Sequence, residues 1–125
     1  MLLSKYGGDA VDFIAVYRVV TFVPVEHLEA VKQAVLGADP LEYGNYQAVC
    51  WTSVPGIEQF VPNEKACPSS GKTDEFSHVR SVRFEFSIPL RHESLRDVLA
   101  AIQKAHPWEE PVIYVTEVME TRSCL

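Results

Sequence analysis

The sequence predicts an α+β fold in which two helices cover one face of an antiparallel sheet. The first observation is the order of its segments: a strand, a helix and a strand, then a long loop, then the same three again. The second is that each predicted helix follows a strand that ends in an apolar residue and a proline, Val23-Pro24 and Ile88-Pro89. The third is a faint internal repeat, which aligns Leu28 with Leu95 and continues through both helices. This duplicated order is the split βαβ, or ferredoxin-like, plan.

The first half of the chain forms one βαβ unit. Residues 13–23 are mostly β-branched or aromatic, with apolar side chains on both faces, which predicts a central strand. After Pro24, apolar residues at helical spacing predict a helix that ends at Gly37. Residues 46–52 are β-prone, and the preceding Gly44-Asn45 pair favours a tight turn.

The second half repeats that order after the long loop. Residues 53–77 contain three prolines and are too long for a simple connector, so they predict either a functional flap or an extra hairpin around Phe60. Residues 82–88 alternate apolar and polar side chains, which is typical of a half-exposed strand. Ser94 is placed to cap the second helix, and residues 112–119 supply the last strand.

The bulk properties predict one domain and exclude some partners. A chain of 125 residues with ordinary composition folds around one core, which we assign to residues 13–119, with 1–12 as a flexible lead-in and 120–125 as a tail. The net charge of −6 and the dispersed basic residues disfavour nucleic acid and anionic membranes as partners. Three cysteines without a C-x-x-C pair favour a reducing, cytoplasmic compartment.

The apolar pattern of residues 13–23 also bears on assembly. Two helices can cover only one face of a sheet, yet this strand is apolar on both of its faces. The uncovered face should therefore be buried by another copy of the chain, which predicts a homo-oligomer.

Three motifs carry a resemblance to a known family. They are Val20-Thr21-Phe22-Val23-Pro24 followed by Glu26-His27-Leu28, then Gly44-Asn45-Tyr46, and finally His106-Pro107-Trp108-Glu109-Glu110-Pro111. Through them, residues 14–118 resemble the PII/CutA-like insert domain of the Nif-three-like (YqfO-type) family, of which standalone forms exist. The last motif is the most specific, with tryptophan where tyrosine is more usual.

The resemblance implies a PII/CutA-like version of the ferredoxin-like fold and, as in PII and CutA relatives, a trimer. Larger members of the family carry a dinuclear metal centre, and some are labelled GTP cyclohydrolases, but their metal ligands lie in flanking domains. Because this sequence shows no such flanks, we expect no transfer of that metal-dependent hydrolysis.

The turn at residues 106–111 is the first candidate site. His106 and Glu109, with Glu110 beside them, could bind a divalent ion or a cationic group. The structural interpretation is favoured, because His106 before Pro107 ends a helix and either glutamate can accept backbone N–H groups.

The second candidate is the turn at Asn45 and Tyr46. These side chains could hydrogen-bond a ligand in a cleft between subunits. Turn chemistry is the favoured interpretation here, because glycine and asparagine both tolerate positive φ.

These observations lead to one main hypothesis and two alternatives. The main hypothesis is a non-catalytic, oligomeric binding or regulatory module for a small molecule or ion, with no residue assigned to catalysis. The first alternative is a divalent-metal-binding protein or metal-dependent hydrolase that uses the 106–111 turn, with a divalent metal as its cofactor. The second is a protein-interaction scaffold that binds partners through its sheet edges.

Overall fold

The computed structural model describes residues 2–5, 9–68 and 71–123. Within these ranges it contains one sheet, two α-helices and a short 3-10 turn that leads into the first helix. In chain order the strands are β1 (Leu2–Lys5), β2 (Asp9–Pro24), β3 (Trp51–Thr52), β4 (Gly56–Phe60), β5 (Ser77–Pro89) and β6 (Ile113–Arg122), and the helices are α1 (Leu28–Ala38) and α2 (His92–Ala105).

Strand β2 is the centre of the sheet. It pairs antiparallel with β6 along residues 12–21 and with β5 along residues 16–24. Strands β3 and β4 both pair antiparallel with β5, so the spatial order across the sheet is β6, β2, β5 and then β3 with β4. This is the strand order of the ferredoxin-like plan, and the prediction of fold class is confirmed.

The core lies between the helices and one face of the sheet, which we call the inner face. Alternation along residues 82–88 is confirmed, because every second side chain is buried there. The buried core residues are Val19 and Val23 of β2, Val82, Phe84, Phe86 and Ile88 of β5, Val31 and Val35 of α1, Val98 and Ile102 of α2, and Leu41.

The ends of α2 follow from the backbone around two prolines. The helix begins at His92 with Arg91 as its N-cap residue, so the prediction that Ser94 caps it is wrong. The amide of Arg91 donates to the carbonyl of Pro89 at 2.8 Å, and this tight turn starts the helix earlier than the sequence indicates. At the other end, Pro107 holds His106 in extended geometry, with ψ of 139°, which stops the helix as predicted.

Both chain ends carry more strand than the sequence predicts. Residues 2–5 pair antiparallel with residues 9–12, so strand pairing starts before residue 13, where the sequence places the first strand; residues 1 and 6–8 lie outside the described ranges. The supposed tail begins within β6, since Thr121 and Arg122 still pair with β2, and residues 124–125 are likewise outside. Backbone hydrogen bonds to the long central strand hold these segments as strands. They do not require an alternating apolar pattern, so the sequence contains no signal for them.

The predicted strand at residues 46–52 is much shorter in the structure. Only Trp51–Thr52 pairs with β5, because Ala48 has φ of 57° and its amide donates back to the carbonyl of Pro40 at 2.9 Å. The Gly44-Asn45 turn is confirmed: Tyr43 and Tyr46 exchange two backbone hydrogen bonds across it, and Gly44 has φ of 59°.

The long loop at residues 53–77 contains β4, which runs antiparallel to the first residues of β5. Of the two predicted alternatives, the extra hairpin around Phe60 is therefore the closer one. Pairing with β4 also extends β5 back to Ser77, five residues before the predicted start of that strand.

The outer face of the sheet, opposite the helices, is apolar along β2 and β6. Val16 and Val20 project to it, and so do their cross-strand partners Val118 and Tyr114, the latter 63% exposed. Since Val19 and Val23 project inward, the prediction that this strand is apolar on both faces is confirmed. Farther across, Glu85 bridges Arg18 and Arg83, each Nε lying 3.0 Å from one carboxylate oxygen.

Within the described residues, neither helix combines the length and apolar character needed to cross a membrane.

We expect Phe86→Ala to lower the free energy of unfolding by about 3–5 kcal/mol, because it leaves a cavity in the middle of the core. Phe86 is 0% exposed, whereas Phe76 is 70% exposed and serves as the matched control. Urea unfolding measures both variants, and Phe76→Ala should change the free energy by less than about 0.5 kcal/mol. Equal effects of the two changes would contradict this assignment of the core.

Candidate functional site

His106 fixes the turn at residues 106–111 to the sheet. Its side chain is buried, and its Nε2 lies 2.8 Å from the carbonyl oxygen of Phe22 in β2. Its Nδ1 accepts a hydrogen bond of 3.1 Å from the backbone N–H of Trp108. Because Nδ1 accepts, the neutral ring carries its proton on Nε2 and donates to Phe22. Both ring nitrogens are therefore used within the fold.

The protonation state of His106 follows from this burial. Desolvation lowers the pKa of His106 below the ordinary value of 6.5 and outweighs the opposing effects of the hydrogen bond to Phe22 and the nearby Glu58 carboxylate. His27 adds to the lowering. The neutral ring is thus the form that the folded state prefers.

Trp108 connects this turn to the long loop. Its ring packs edge-on against Phe60 at the end of β4, with centroids 5.3 Å apart, and against His106, with centroids 5.4 Å apart. Trp108 therefore makes a contact between two segments that are distant in the sequence.

Glu109 makes the second connection between the turn and the loop. Its Oε1 accepts the backbone N–H of Cys67 at 2.7 Å, across 42 residues of sequence. Glu110, beside it, is exposed and makes no hydrogen bond or ion pair within the described residues. Of the two glutamates, Glu109 thus has the backbone-capping role, and it acts on the loop rather than on its own turn.

A pocket of about 240 Å³ lies between these two segments, and we call it the loop–turn pocket. Apolar and aromatic side chains form most of its lining, and the carboxylates of three glutamates are the charged groups. The lining residues are Glu58, Gln59, Phe60, Pro62, Ala66, Pro68, Trp108, Glu109, Glu110 and Val112.

The structure separates the two candidate sites predicted from the sequence. Asn45 and Tyr46 are exposed in a turn that contacts the end of β6, where the Tyr43 hydroxyl donates to the carbonyl of Thr121 at 3.0 Å. The turn at residues 106–111 precedes the start of β6. A ten-residue strand spans roughly 30 Å, so the two sites do not meet within one copy of the chain.

The proposed metal ligands are not grouped with others. Among the residues that the structure describes, no three His, Cys, Asp or Glu side chains are close enough to share a metal ion. His106 would first have to give up its bonds to Phe22 and Trp108, and Glu109 its bond to Cys67.

Sequence reasoning missed Glu58 and most of the loop–turn pocket. Glu58 lies in β4, a strand that was predicted only as a hairpin alternative, and nothing in the local sequence pairs it with residue 108. The apolar residues Phe60, Pro62 and Ala66 near Pro68 were the available signal, since apolar side chains in a long loop need a surface to pack against.

Comparisons with known proteins place this geometry in context. The sequence matches no family profile. It is 39% identical over 92 residues to a GTP cyclohydrolase 1 type 2 homolog of Mycobacterium leprae, covering 74% of this chain and 23% of that protein. A Bacillus cereus protein related to NIF3 superposes with a TM-score of 0.69 and 33% identity, over 86% of this chain and 26% of that one.

The chain has a PII/CutA-like fold and is similar to one segment of longer Nif-three-related proteins. Two solved structures of low identity support the fold. The divalent ion tolerance protein CutA1 of Ehrlichia chaffeensis gives a TM-score of 0.59 at 13% identity, over 82% of this chain and 80% of that one. The GlnK–ATP complex of B. subtilis gives 0.53 at 12% identity, over 83% and 82%.

The chain spans about a quarter of the length of these two relatives. The name of those relatives therefore describes proteins much longer than the segment they share with this chain. The loop–turn pocket, in contrast, is built wholly from residues of this chain.

Acidification should destabilise the PII/CutA-like domain through His106. Between the lowered folded pKa and the unfolded value near 6.5, the unfolded chain binds more protons, so stability rises with pH in that window. The contribution is complete above about pH 6.5 and is lost as the pH falls toward the folded pKa. Urea unfolding from about pH 5.5 to pH 8 measures this slope.

His106→Gln should flatten that slope, and His92→Gln is its control because His92 is exposed at the start of α2. A slope that survives in His106→Gln at wild-type size would refute the assignment to this histidine.

Glu109→Ala should free the loop at Cys67, because it removes the acceptor of that backbone N–H. This bond is exposed to solvent, so we expect it to contribute about 0.5–1.5 kcal/mol and the exchange of the Cys67 amide to accelerate at least about twofold. Amide exchange followed by NMR measures this rate. Glu110→Ala removes the neighbouring carboxylate and should leave the rate unchanged; acceleration in both variants would count against a specific bond.

Proposed function

We propose that this domain is a non-catalytic, oligomeric module that binds a small ligand in the loop–turn pocket. The observation that carries the proposal is the pocket itself, walled by Phe60 and Trp108, whose two segments are also joined by the bond between Glu109 and Cys67. Apolar walls with a few placed polar groups are typical of ligand sites. Because the two walls are already fixed to each other, little ordering is needed when a ligand binds.

The outer face of the sheet supports the oligomeric part of the proposal. It leaves Ile14, Tyr114 and Val118 exposed, on the side that neither helix covers. A second copy placed there would remove these side chains from water and complete the burial of β2. We propose a trimer, which is the assembly that the resemblance to PII and CutA proteins implies.

The remaining expectations from the sequence belong to the same proposal. With a net charge of −6, the domain should bind neither nucleic acid nor anionic membranes, and we place it in the cytoplasm. Its partners would be other copies of itself and one small molecule or ion.

The metal-binding alternative, with His106 and Glu109 as ligands, has less support from the geometry. Metal binding by His106 needs a free lone pair on a ring nitrogen, but Nδ1 accepts from Trp108 and Nε2 donates to Phe22. The alternative remains worth testing, since one structural neighbour is named as a divalent ion tolerance protein. Metal that stays bound at one equivalent and is lost in His106→Ala, with the fold retained, would establish it.

The oligomeric state is tested by size-exclusion chromatography with light scattering. We expect wild type to have the mass of a trimer, and Tyr114→Glu to shift toward the monomer because it places a charge on the apolar outer face. The control is Val54→Glu, since Val54 is 84% exposed and belongs to none of the strands. A monomeric wild type would refute the oligomer.

The ligand is tested by a thermal-shift screen of nucleotides, divalent metals and small aromatic amides and amines. Nucleotides are included because another neighbour is an ATP complex. A ligand that binds the folded state raises the melting temperature, and the rise should disappear in Trp108→Ala. An oligomer that no compound stabilises would reject the binding module and favour a protein-interaction scaffold.

A further inference from the structure

The charges of the loop–turn pocket are all of one sign. Three of its lining residues, Glu58, Glu109 and Glu110, carry carboxylates, and no lysine, arginine or histidine lines it within the described residues. A pocket of this kind repels phosphate and carboxylate groups and attracts cations.

Glu58 is the most unusual of the three carboxylates. Its Oε1 is buried and has no hydrogen-bond partner among the described residues, and no described cation forms an ion pair with it. Glu120 offers a contrast: its buried oxygens also lack hydrogen bonds, but Nη2 of Arg122 lies 2.9 Å from Oε2. The Glu58 side chain as a whole is half-buried and lines the pocket, so no described partner neutralises its charge where a ligand can approach.

Nearby groups within the described residues do not hydrogen-bond or neutralise the Glu58 carboxylate. His106 is close enough for the Glu58 charge to affect it electrostatically, but its Nε2 proton is already donated to Phe22. Glu109 is held by Cys67, so its Oε1 is already an occupied acceptor.

The aromatic wall gives a second, independent indication of the ligand. Phe60 and Trp108 pack edge-on at 5.3 Å, and both line the pocket. Aromatic faces attract ammonium and guanidinium groups and also pack against apolar bodies. At about 240 Å³, the pocket lies below the range of about 300–1,000 Å³ that drug-sized ligands occupy.

We propose that the loop–turn pocket binds a small organic cation, an ammonium, amidinium or guanidinium group attached to an apolar body, with Glu58 as its counter-ion. The inference rests on the proposed function, because it assigns a ligand class to the same pocket. The cation contacts Glu58, and its apolar body lies against Phe60 and Trp108. Such a ligand contacts both the Glu58 carboxylate and the aromatic side chains, whereas a hydrated metal ion would contact only the carboxylate.

Three compounds of matched shape test the charge requirement. Benzamidine is a planar cation, benzamide is its neutral analogue, and benzoate is the corresponding anion. Isothermal titration calorimetry of the wild-type protein should give benzamidine a dissociation constant at least about tenfold below that of benzamide, with no binding of benzoate.

Glu58→Gln tests the counter-ion, because it removes the charge and keeps the shape. It should weaken benzamidine binding about tenfold and leave benzamide binding unchanged. Glu93→Gln removes the same charge from an exposed position on α2 outside the pocket, and should leave both unchanged. In a Trp51→Phe background Trp108 is the sole tryptophan, so its fluorescence should respond to benzamidine and place the ligand at this wall.

The outcomes separate the two proposals. Equal affinity for benzamidine and benzamide would overturn the cation inference and leave the pocket as a ligand site. Binding of none of the three compounds would also overturn it, while the thermal-shift screen would still decide the proposed function. An equal loss of benzamidine affinity in Glu58→Gln and Glu93→Gln would show that the affinity depends on the net charge of the protein, and it would reject Glu58 as the counter-ion.

Discussion

The side chain of His106 joins helix α2, the sheet and the turn that forms one wall of the loop–turn pocket. It ends α2, bonds to the backbone of β2 and accepts the amide of Trp108, so helix, sheet and turn are fixed by one ring. Trp108 then contacts Phe60, and Glu109 accepts a hydrogen bond from the backbone N–H of Cys67. These two contacts attach the long loop to the turn, and through the turn to the sheet. The shape of the loop–turn pocket therefore depends on a buried, neutral imidazole that lies outside the pocket lining.

Features that repeat at short range were predictable from the sequence. Alternation at residues 82–88 identified the inner face of β5, and the apolar residues of β2 indicated a strand with two apolar faces. Those patterns reflect burial, because buried positions of a strand carry apolar residues and exposed positions carry polar ones. The same logic failed at Ala48, whose positive φ breaks a β-prone run, because alanine gives no signal for a left-handed backbone.

The candidate site was predictable only in part, for the same physical reason. The motif at residues 106–111 drew attention to His106 and Glu109, and the structure gives both of them bonds within the protein. Their partners, Phe22 and Cys67, contribute backbone groups, and any residue type can supply a carbonyl or an amide. The unpaired oxygen of Glu58 was likewise invisible, because it depends on packing between segments some fifty residues apart.

The unsatisfied carboxylate of Glu58 has a consequence for how the sequence can change over time. An unpartnered buried polar atom costs up to about 1–3 kcal/mol, and in the half-buried Glu58 side chain this applies to one oxygen, against the 5–15 kcal/mol by which domains are usually stable. An apolar residue of similar size would avoid this cost, so under the proposed cation site stability and binding compete at position 58. In a lineage without the proposed ligand, this position should be among the first to change to leucine or methionine.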